Sequence, residues 1–370
     1  MAGKLLAIED VFSQEPFVDV QPLYTLLNRC AVNYKTFCLL SAAVEAGLFD
    51  HLEAPRRVDE LSREMGLNPR ITRIVCKCLK KLGFLAEVND AYQNAEISNL
   101  YLRTSSLITQ ENVLKTLRGT LRLWEKLPEV LQGGPVKIRE EDFFGEDHIH
   151  AIAAEHLTGE LPKTVRIVAE LPEFQKANKL LDLGSGHGLY AIAFSKLNPG
   201  LQVYIYDLPE VTQKTKVYLE KHGAKATVLA GNFFQDDPGS GYDLVFFAYN
   251  PGGKNPGLVP KIYACLNEGG LFVSKHCFYR KGEETKDILL DLEWNLTTFA
   301  GVKKGDRVYS FEGDLSFEDY LELLSGYFTI EKVIETAEFA GPSLGKIGDA
   351  LDSKIIIARK KANPLASAGG

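Results

Sequence analysis

The chain has 370 residues, 45% of them hydrophobic and 25% charged, with a net charge of −7. That length suffices for two domains with separate cores, and the acidic balance argues against a protein whose main task is to coat nucleic acid or an anionic membrane. No apolar run approaches the roughly 18 residues that span a bilayer, and MAGKLLAIEDVFSQE has early acids and no long apolar stretch, so no secretory signal is expected.

The first third reads as helical. From about Pro22 to Leu52 apolar residues recur at helical spacing, and Gly47 closes one helix. In VDELSREMGLNPRITRIVCKCLKKLGFL a short helix ends at Gly66, Asn68-Pro69 starts the next, and Gly83 ends that one. Two short extended runs then flank the turn signal Asn89-Asp90. Helix, turn, helix, hairpin is the winged-helix order, so residues 1–105 are expected to form an all-helical, winged-helix-like domain. Its second helix carries Arg70, Arg73, Lys77, Lys80 and Lys81. A DNA-reading helix has this look, but so does a solvated face opposite a core stripe of Ile71, Ile74, Val75, Leu79 and Leu82. With no second basic arm, a structural or dimerising role is favoured. Residues 106–170 read as a helical connector, broken by Gly133-Gly134-Pro135 and by IREEDFFGED.

From Lys179 the pattern alternates. KLLDL, LQVYIYDL, KATVLAG, YDLVFFAY, GLFVSKHCF, FTIEKVIE and SKIIIARK are seven β-rich runs. Helical stretches separate the first six, including a weak one near Phe234–Asp237 and a long KDILLDLEWNLTTFA. AGPSLGKIGD joins the last two runs without a helix. The expected fold is α/β, a seven-stranded, doubly wound, Rossmann-like sheet over residues 171–362 closed by an antiparallel edge hairpin, with a disordered tail at 363–370. There is no internal repeat. The six cysteines form no C-x-x-C pair and mostly sit in apolar stretches, which reads as buried thiols of a cytoplasmic protein.

The densest signal is LLDLGSGHGLY. A buried strand ends at Asp182 and turns through Gly184, Ser185, Gly186 and Gly188 into a helix, a form that lets a ligand approach the backbone. A glycine fingerprint alone also fits a dinucleotide. Asp182 would repel a pyrophosphate but can orient a cationic amino-acid end, as in S-adenosylmethionine (SAM). Asp207, with Leu208 after it, ends the next strand and can accept both ribose hydroxyls. In AGNFFQ, Asn232 can bond an adenine edge and Phe233 can lie on its face.

In order, LLDLGSGHG, YDLPEV, VLAGNFF, YDLVFFAY and LNEGGLFV resemble the successive motifs of the small-molecule O-methyltransferases related to plant phenolic and acetylserotonin methyltransferases. DELSREMGLNPRITRIVCKCLKKLGFL is similar to that family's dimerisation domain. The resemblance spans about residues 20–360. It implies a class I methyltransferase fold, SAM as cofactor with S-adenosylhomocysteine as product, and no metal. It also implies Asp207 on the ribose, residues 232 and 233 at the adenine, and a homodimer whose N-terminal domain closes the partner's pocket.

One motif departs. In that family the fourth strand leads into His-Asp-Trp-x-Asp-Glu, whose His deprotonates a phenol; here FFAYNPGGKN has no His, Trp or acid. A hydroxyl of pKa near 10 needs a base, worth roughly 10²–10⁴-fold, whereas a thiolate, amine or activated carbon needs mainly alignment. Tyr249 and Asn250 stand nearest the missing His. His148, His150 and His156, at the helix leading into the nucleotide domain, and His276, ending strand five, are the other candidates. His187 is expected to shape the glycine turn, and Trp294 and Asn295 are candidate acceptor-pocket residues. The expected acceptor is a small or medium-sized, planar or apolar molecule, with O-, C-, N- or S-transfer open. The alternatives are a SAM-binding regulator that uses its winged helix on DNA or a partner, and an NAD-dependent redox enzyme.

Overall fold

A computed structural model describes residue 12 and residues 18–139, 146–335 and 351–362. The expected tail, the loop AGPSLGKIGD, most of MAGKLLAIEDVFSQE and most of IREEDFFGED lie outside the described residues. The chain divides into two compact units that part between Glu111 and Asn112.

In the first unit the helix Gln21–Glu45 stops at Gly47, whose φ of 70° continues no right-handed helix. After the helix Val58–Glu64, Asn68 caps the helix Pro69–Lys81 by accepting from the N–H groups of Arg70 and Ile71. β1 (Leu85–Val88) and β2 (Ala91–Asn94) pair antiparallel. Asn89 and Asp90 both take positive φ, 50° and 63°, as a two-residue hairpin turn requires. The buried face of Pro69–Lys81 is Thr72, Cys76 and Leu79. Ile71, Ile74 and Leu82, expected in its core stripe, are exposed, because the inward positions run 72, 76 and 79, one step round the helix. Arg73 pairs with Asp59 and Lys80 with Glu87. The cysteine expectation holds for half of the set: Cys76, Cys265 and Cys277 are buried, whereas Cys30, Cys38 and Cys78 are exposed, and all six are free.

The second unit carries β3 (Val136–Ile138), β4 (Lys179–Leu183), β5 (Gln202–Asp207), β6 (Thr227–Ala230), β7 (Tyr242–Ala248), β8 (Leu266–Cys277), β9 (Thr297–Phe299), β10 (Phe328–Ile334) and β11 (Ser353–Lys360). β3 and β9 pair with each other in parallel. Two expectations change with them. The 106–170 connector is not wholly helical, and the long helix after strand five ends at Asn295, where two β-branched threonines continue as strand. The stretch Phe234–Asp237 forms a turn and no helix.

The remaining seven strands form one sheet in the order β10-β11-β8-β7-β4-β5-β6, parallel except for β11, which runs antiparallel to both neighbours. Successive residues on a strand face opposite sides, and the apolar runs fill both. Leu180, Leu244, Phe246, Ile355 and Ile357 join the core on one face, and Leu181, Val245, Phe247, Ile356 and Ala358 the core on the other. Phe246 has no exposure and packs 4.8 Å from the Tyr190 ring and 5.3 Å from Phe194. Phe246→Ala is expected to destabilise the protein by about 3–5 kcal/mol in denaturant titration; a loss under about 1 kcal/mol would show that this layer repacks freely.

Candidate active site

The chain leaves β4 towards β5 and β6, then returns to β7 on the other side of β4. In a doubly wound sheet, such a reversal opens a crevice beyond the carboxyl ends of the central strands. A cavity lies there, lined by residues that follow β4, β5, β6 and β7.

One wall is the glycine turn after β4. Gly184, Gly186 and Gly188 have φ of 63°, 56° and 71°, a region that disfavours residues with a Cβ. A Cβ on Gly184 would also lie 3.0 Å from Asn250 Nδ2 and 3.1 Å from the Phe247 ring. Asp207 ties the turn to β5: its Oδ2 accepts from Gly186 N–H at 2.7 Å and its Oδ1 from Leu208 N–H at 2.8 Å. Burial pushes the Asp207 carboxyl up to about 6 against these two hydrogen bonds. Burial and the charge of Asp207 push Asp182 well above its usual range. Asp182 Oδ2 and Ser185 Oγ are buried here with no partner among the described residues, so two residues lining the cavity each keep a polar atom that the protein leaves unsatisfied.

The next wall is the turn after β6. Asn232 Oδ1 accepts from Phe234 N–H at 2.9 Å, Asp236 accepts from Asn232 N–H at 2.8 Å, and Lys261 donates to the Phe233 and Phe234 carbonyls. Phe233 packs on Phe247 with centroids 5.5 Å apart.

Ile149, Ile152, His156, Tyr249, Val302 and Tyr309 form the opposite side. Tyr249 and Tyr309 both have left-handed backbone, φ 52° and 60°, which costs about 1–3 kcal/mol each and persists where the surroundings enforce it. The enforcing bonds are visible. Tyr249 N–H donates to the Lys275 carbonyl, the Tyr309 hydroxyl donates to the Tyr249 carbonyl, and buried Lys254 donates to the Tyr309 carbonyl at 2.6 Å while pairing with Asp314.

Beneath lies a charged cluster. Lys275 has no exposure and donates to Glu160 and, at 2.8 Å, to Thr164, with its Nζ 4.6 Å from the centre of the Tyr249 ring. Tyr190 also donates to Glu160, at 2.5 Å. Burial opposes the charge on Glu160, but the Lys275 ammonium and the hydrogen bonds from Lys275 and Tyr190 hold its carboxyl well below the usual range.

Of the candidate residues, Asp182, Gly184, Ser185, Gly186, Asp207, Leu208, Asn232, Phe233, Tyr249, Asn250, His156 and the turn-shaping His187 all line this one cavity. Gly188 does not line it. It begins the helix Leu189–Leu197, where a Cβ would sit 2.6 Å from Thr215 Cγ2. His148 and His150 share the helix Glu146–His156 but do not line the cavity, and His150 meets the Tyr218 hydroxyl at 2.7 Å. His276 is sealed under Gly253, and burial and Lys254 lower it to about 3. Trp294 donates to the Gly305 carbonyl and packs on Phe299, while Asn295 bonds the Asp291 and Asp306 carbonyls; both serve packing. Sequence reasoning missed Glu160, Lys275, Tyr309, Ile149, Ile152 and Val302. A lysine inside the apolar run GLFVSKHCF, and a glutamate four residues after His156, were the available signals. No group of three or more metal-ligating side chains occurs among the described residues.

Comparison with known proteins agrees with this geometry. The O-methyltransferase domain family matches residues 150–283 and the O-methyltransferase dimerisation domain matches residues 29–104. An uncharacterised protein of Methanocaldococcus jannaschii is 37% identical over 358 residues, 95% of this chain and 94% of that one. Human acetylserotonin O-methyltransferase is 28% identical over 277 residues, 68% of this chain and 79% of its own. The L-tyrosine C(3)-methyltransferase of Streptomyces lavendulae is 26% identical over 269 residues, 63% of this chain and 69% of its own. A solved structure of human N-acetylserotonin methyltransferase in complex with SAM has the same fold, with a TM-score of 0.62 at 22% identity over 94% of this chain and 99% of its own. The chain belongs to the family of SAM-dependent O-methyltransferases.

Asp207 titrates at about 6 in the fold and at about 3.9 in an unfolded chain, so the folded form holds its proton more tightly. That contribution to stability is complete below pH ~4 and is lost as pH rises through about 6. Asp182 acts in the same direction. The ligand-free protein is therefore expected to melt higher at pH 5.5 than at pH 7.5, with Asp207 accounting for about 1 kcal/mol of that difference. Asp207→Ala should shrink the difference; an unchanged difference in the variant would exclude this carboxyl as its source.

Proposed function

We propose that the enzyme binds SAM along the glycine turn and transfers its methyl group to a planar or apolar small molecule held against the tyrosine wall. The reading rests above all on one observation, the pair of buried carboxylates, one with an orphaned oxygen, among the residues that line a cavity at the sheet's reversal point. The donor set fits the cofactor. Asp182 and Ser185 suit its cationic amino-acid end, Asp207 the two ribose hydroxyls, and Phe233 a purine face. Asn232 spends its Oδ1 on its own turn, which leaves Nδ2 as a donor for a purine ring nitrogen.

When bound, SAM supplies an electrophilic methyl carbon on a sulfonium centre. The protein's part is to hold the acceptor in line and exclude water, which Ile149, Ile152, Val302 and the two tyrosines do. Two carboxylates beside the glycine turn disfavour a pyrophosphate and hence NAD. A DNA-reading role is opposed by the pairing of Arg73 and Lys80 with acids of their own domain.

We further propose that the protein works as a homodimer. The helix Gln21–Glu45 exposes Leu23, Tyr24, Leu26 and Leu27, and Ile71 and Ile74 are also exposed, more apolar surface than a monomer ordinarily shows. Six free thiols fit a reducing cytoplasm.

Calorimetric titration tests the cofactor site. SAM and S-adenosylhomocysteine are expected to bind the wild type at micromolar level and Asp207→Ala at least tenfold more weakly, with Asp207→Asn as the conservative control for folding. No binding to the wild type would withdraw the reading. Light scattering tests the assembly: a dimer is expected, and Leu23→Asp with Leu27→Asp should yield monomers. A monomeric wild type would refute the dimer.

A further inference from the structure

We propose that His156 is held as a neutral imidazole with its proton on Nε2, a hydrogen-bond donor to the acceptor and not a base, so that the enzyme takes acceptors whose reacting hydroxyl ionises before it binds. The inference rests on the methyltransferase reading for its second half only. Its first half follows from a chain of hydrogen bonds in which each donor fixes the next.

Leu189 N–H lies 3.0 Å from His187 Nδ1. A backbone amide can only donate, so that nitrogen is a bare lone pair. Burial holds His187 neutral, which puts its proton on Nε2. His187 Nε2 is 3.0 Å from His156 Nδ1, and its proton can only be given to that atom. His156 Nδ1 is thereby an acceptor, and a neutral ring with Nδ1 bare carries its proton on Nε2. Among the described residues His156 Nε2 meets no protein partner, and it is the nitrogen left to the cavity that His156 lines.

A second proton on His156 would have to enter at Nδ1, head-on against the N–H of His187. Glu160 Oε2 stands 3.6 Å from the same Nδ1, beyond hydrogen-bond reach, while its Oε1 takes Lys275 and Tyr190. The groups facing His156 from the packed elements are His187, Glu160, Tyr190 and Tyr249, with Lys275 behind Glu160 and Tyr249. The Lys275 ammonium cancels the Glu160 carboxylate, so no net anion remains to favour an imidazolium. The other cavity carboxylates, Asp182 and Asp207, belong to the glycine turn.

A wall with a donor and no base selects its substrate by acidity. A phenol of pKa near 10 is almost wholly protonated at neutral pH, and removing its proton is the work a general base would do. A hydroxyl conjugated to a carbonyl or a ring nitrogen (a vinylogous acid, a hydroxyquinone or a hydroxy-heteroaromatic) loses its proton to solvent unaided. Its second heteroatom can accept from His156 Nε2–H while the reacting atom stays free. That atom's lone pair then forms the bond to the methyl carbon, and the electron pair of the broken S–C bond remains on sulfur. No proton moves onto the protein.

The test has two arms. In ¹⁵N-histidine spectra of the full-length protein at neutral pH, with His156 assigned through His156→Gln, the proton is expected on Nε2 only. In His187→Ala, which removes the donor to Nδ1, the proton should be shared between the two ring nitrogens. A cationic His156, or one protonated on Nδ1, near pH 7 in the wild type would overturn the assignment whether or not SAM binds. In turnover with methyl-labelled SAM and hydroxyl acceptors of graded acidity, the midpoint of the kcat/KM profile should follow each acceptor's own pKa. His156→Phe should lower kcat/KM about 10–100-fold, the loss of one hydrogen bond to a charged group, and His156→Gln should recover most of it because an amide N–H still donates. One break at the same pH for every acceptor, or a Gln variant as impaired as the Phe variant, would mark His156 as a base and overturn the proposal. Failure of SAM to bind at all would fall on the preceding section, since the spectra judge the tautomer without it.

Discussion

A lysine sealed inside a sheet sets the terms for this site. Removing an ammonium from water costs several kcal/mol unless a counter-charge and hydrogen bonds meet it in place, and Lys275 has no exposure at all. Glu160 must therefore stay against β8, which pins the helix Glu160–Ala169 to the strand. One turn earlier in the chain, His156 is placed by the same constraint. Tyr190 reaches Glu160 from the far side, and the Tyr249 ring lies over the lysine. The positions of the groups facing the acceptor thus follow from an electrostatic requirement beneath them, and packing alone would hold them less firmly.

The cofactor side is organised by the opposite tension. Asp182 and Asp207 sit close together in a buried place and neither has a cation beside it among the described residues, so the ligand-free fold keeps both carboxyls high. Structural carboxylates usually go the other way, as Glu160 does. Such unrelieved charge is the expected mark of groups arranged for a ligand.

This division explains what the sequence made legible. Strands β4, β5, β7, β8 and β11 were readable because their apolar runs are buried on both faces, and the glycine turn because left-handed backbone leaves glycine almost alone as a choice. Asp182 and Asp207 stand at the carboxyl ends of their strands and Asn232 and Phe233 just past one, so the order of strands was enough to bring them to one edge. The acceptor wall was less accessible. Tyr309 lies sixty residues beyond Tyr249, and nothing local announces their contact. The helix near Phe234 and the apolar stripe of Pro69–Lys81 misled for a related reason. Local periodicity records which residues are apolar, and only tertiary contacts decide which of them a single chain covers.

Tyr249 and Tyr309 form two adjoining parts of the acceptor wall, and both stand in a backbone region that tyrosine tolerates poorly. Asparagine and glycine occupy that region with less strain. Here the residue best suited to the backbone and the residue that shapes the pocket are different, so a smaller side chain at either position would enlarge the cavity and relax the main chain together. The usual opposition between changing a pocket and keeping a fold is weakest at these two positions. They are where the range of acceptors is most open to change by natural drift or by directed selection.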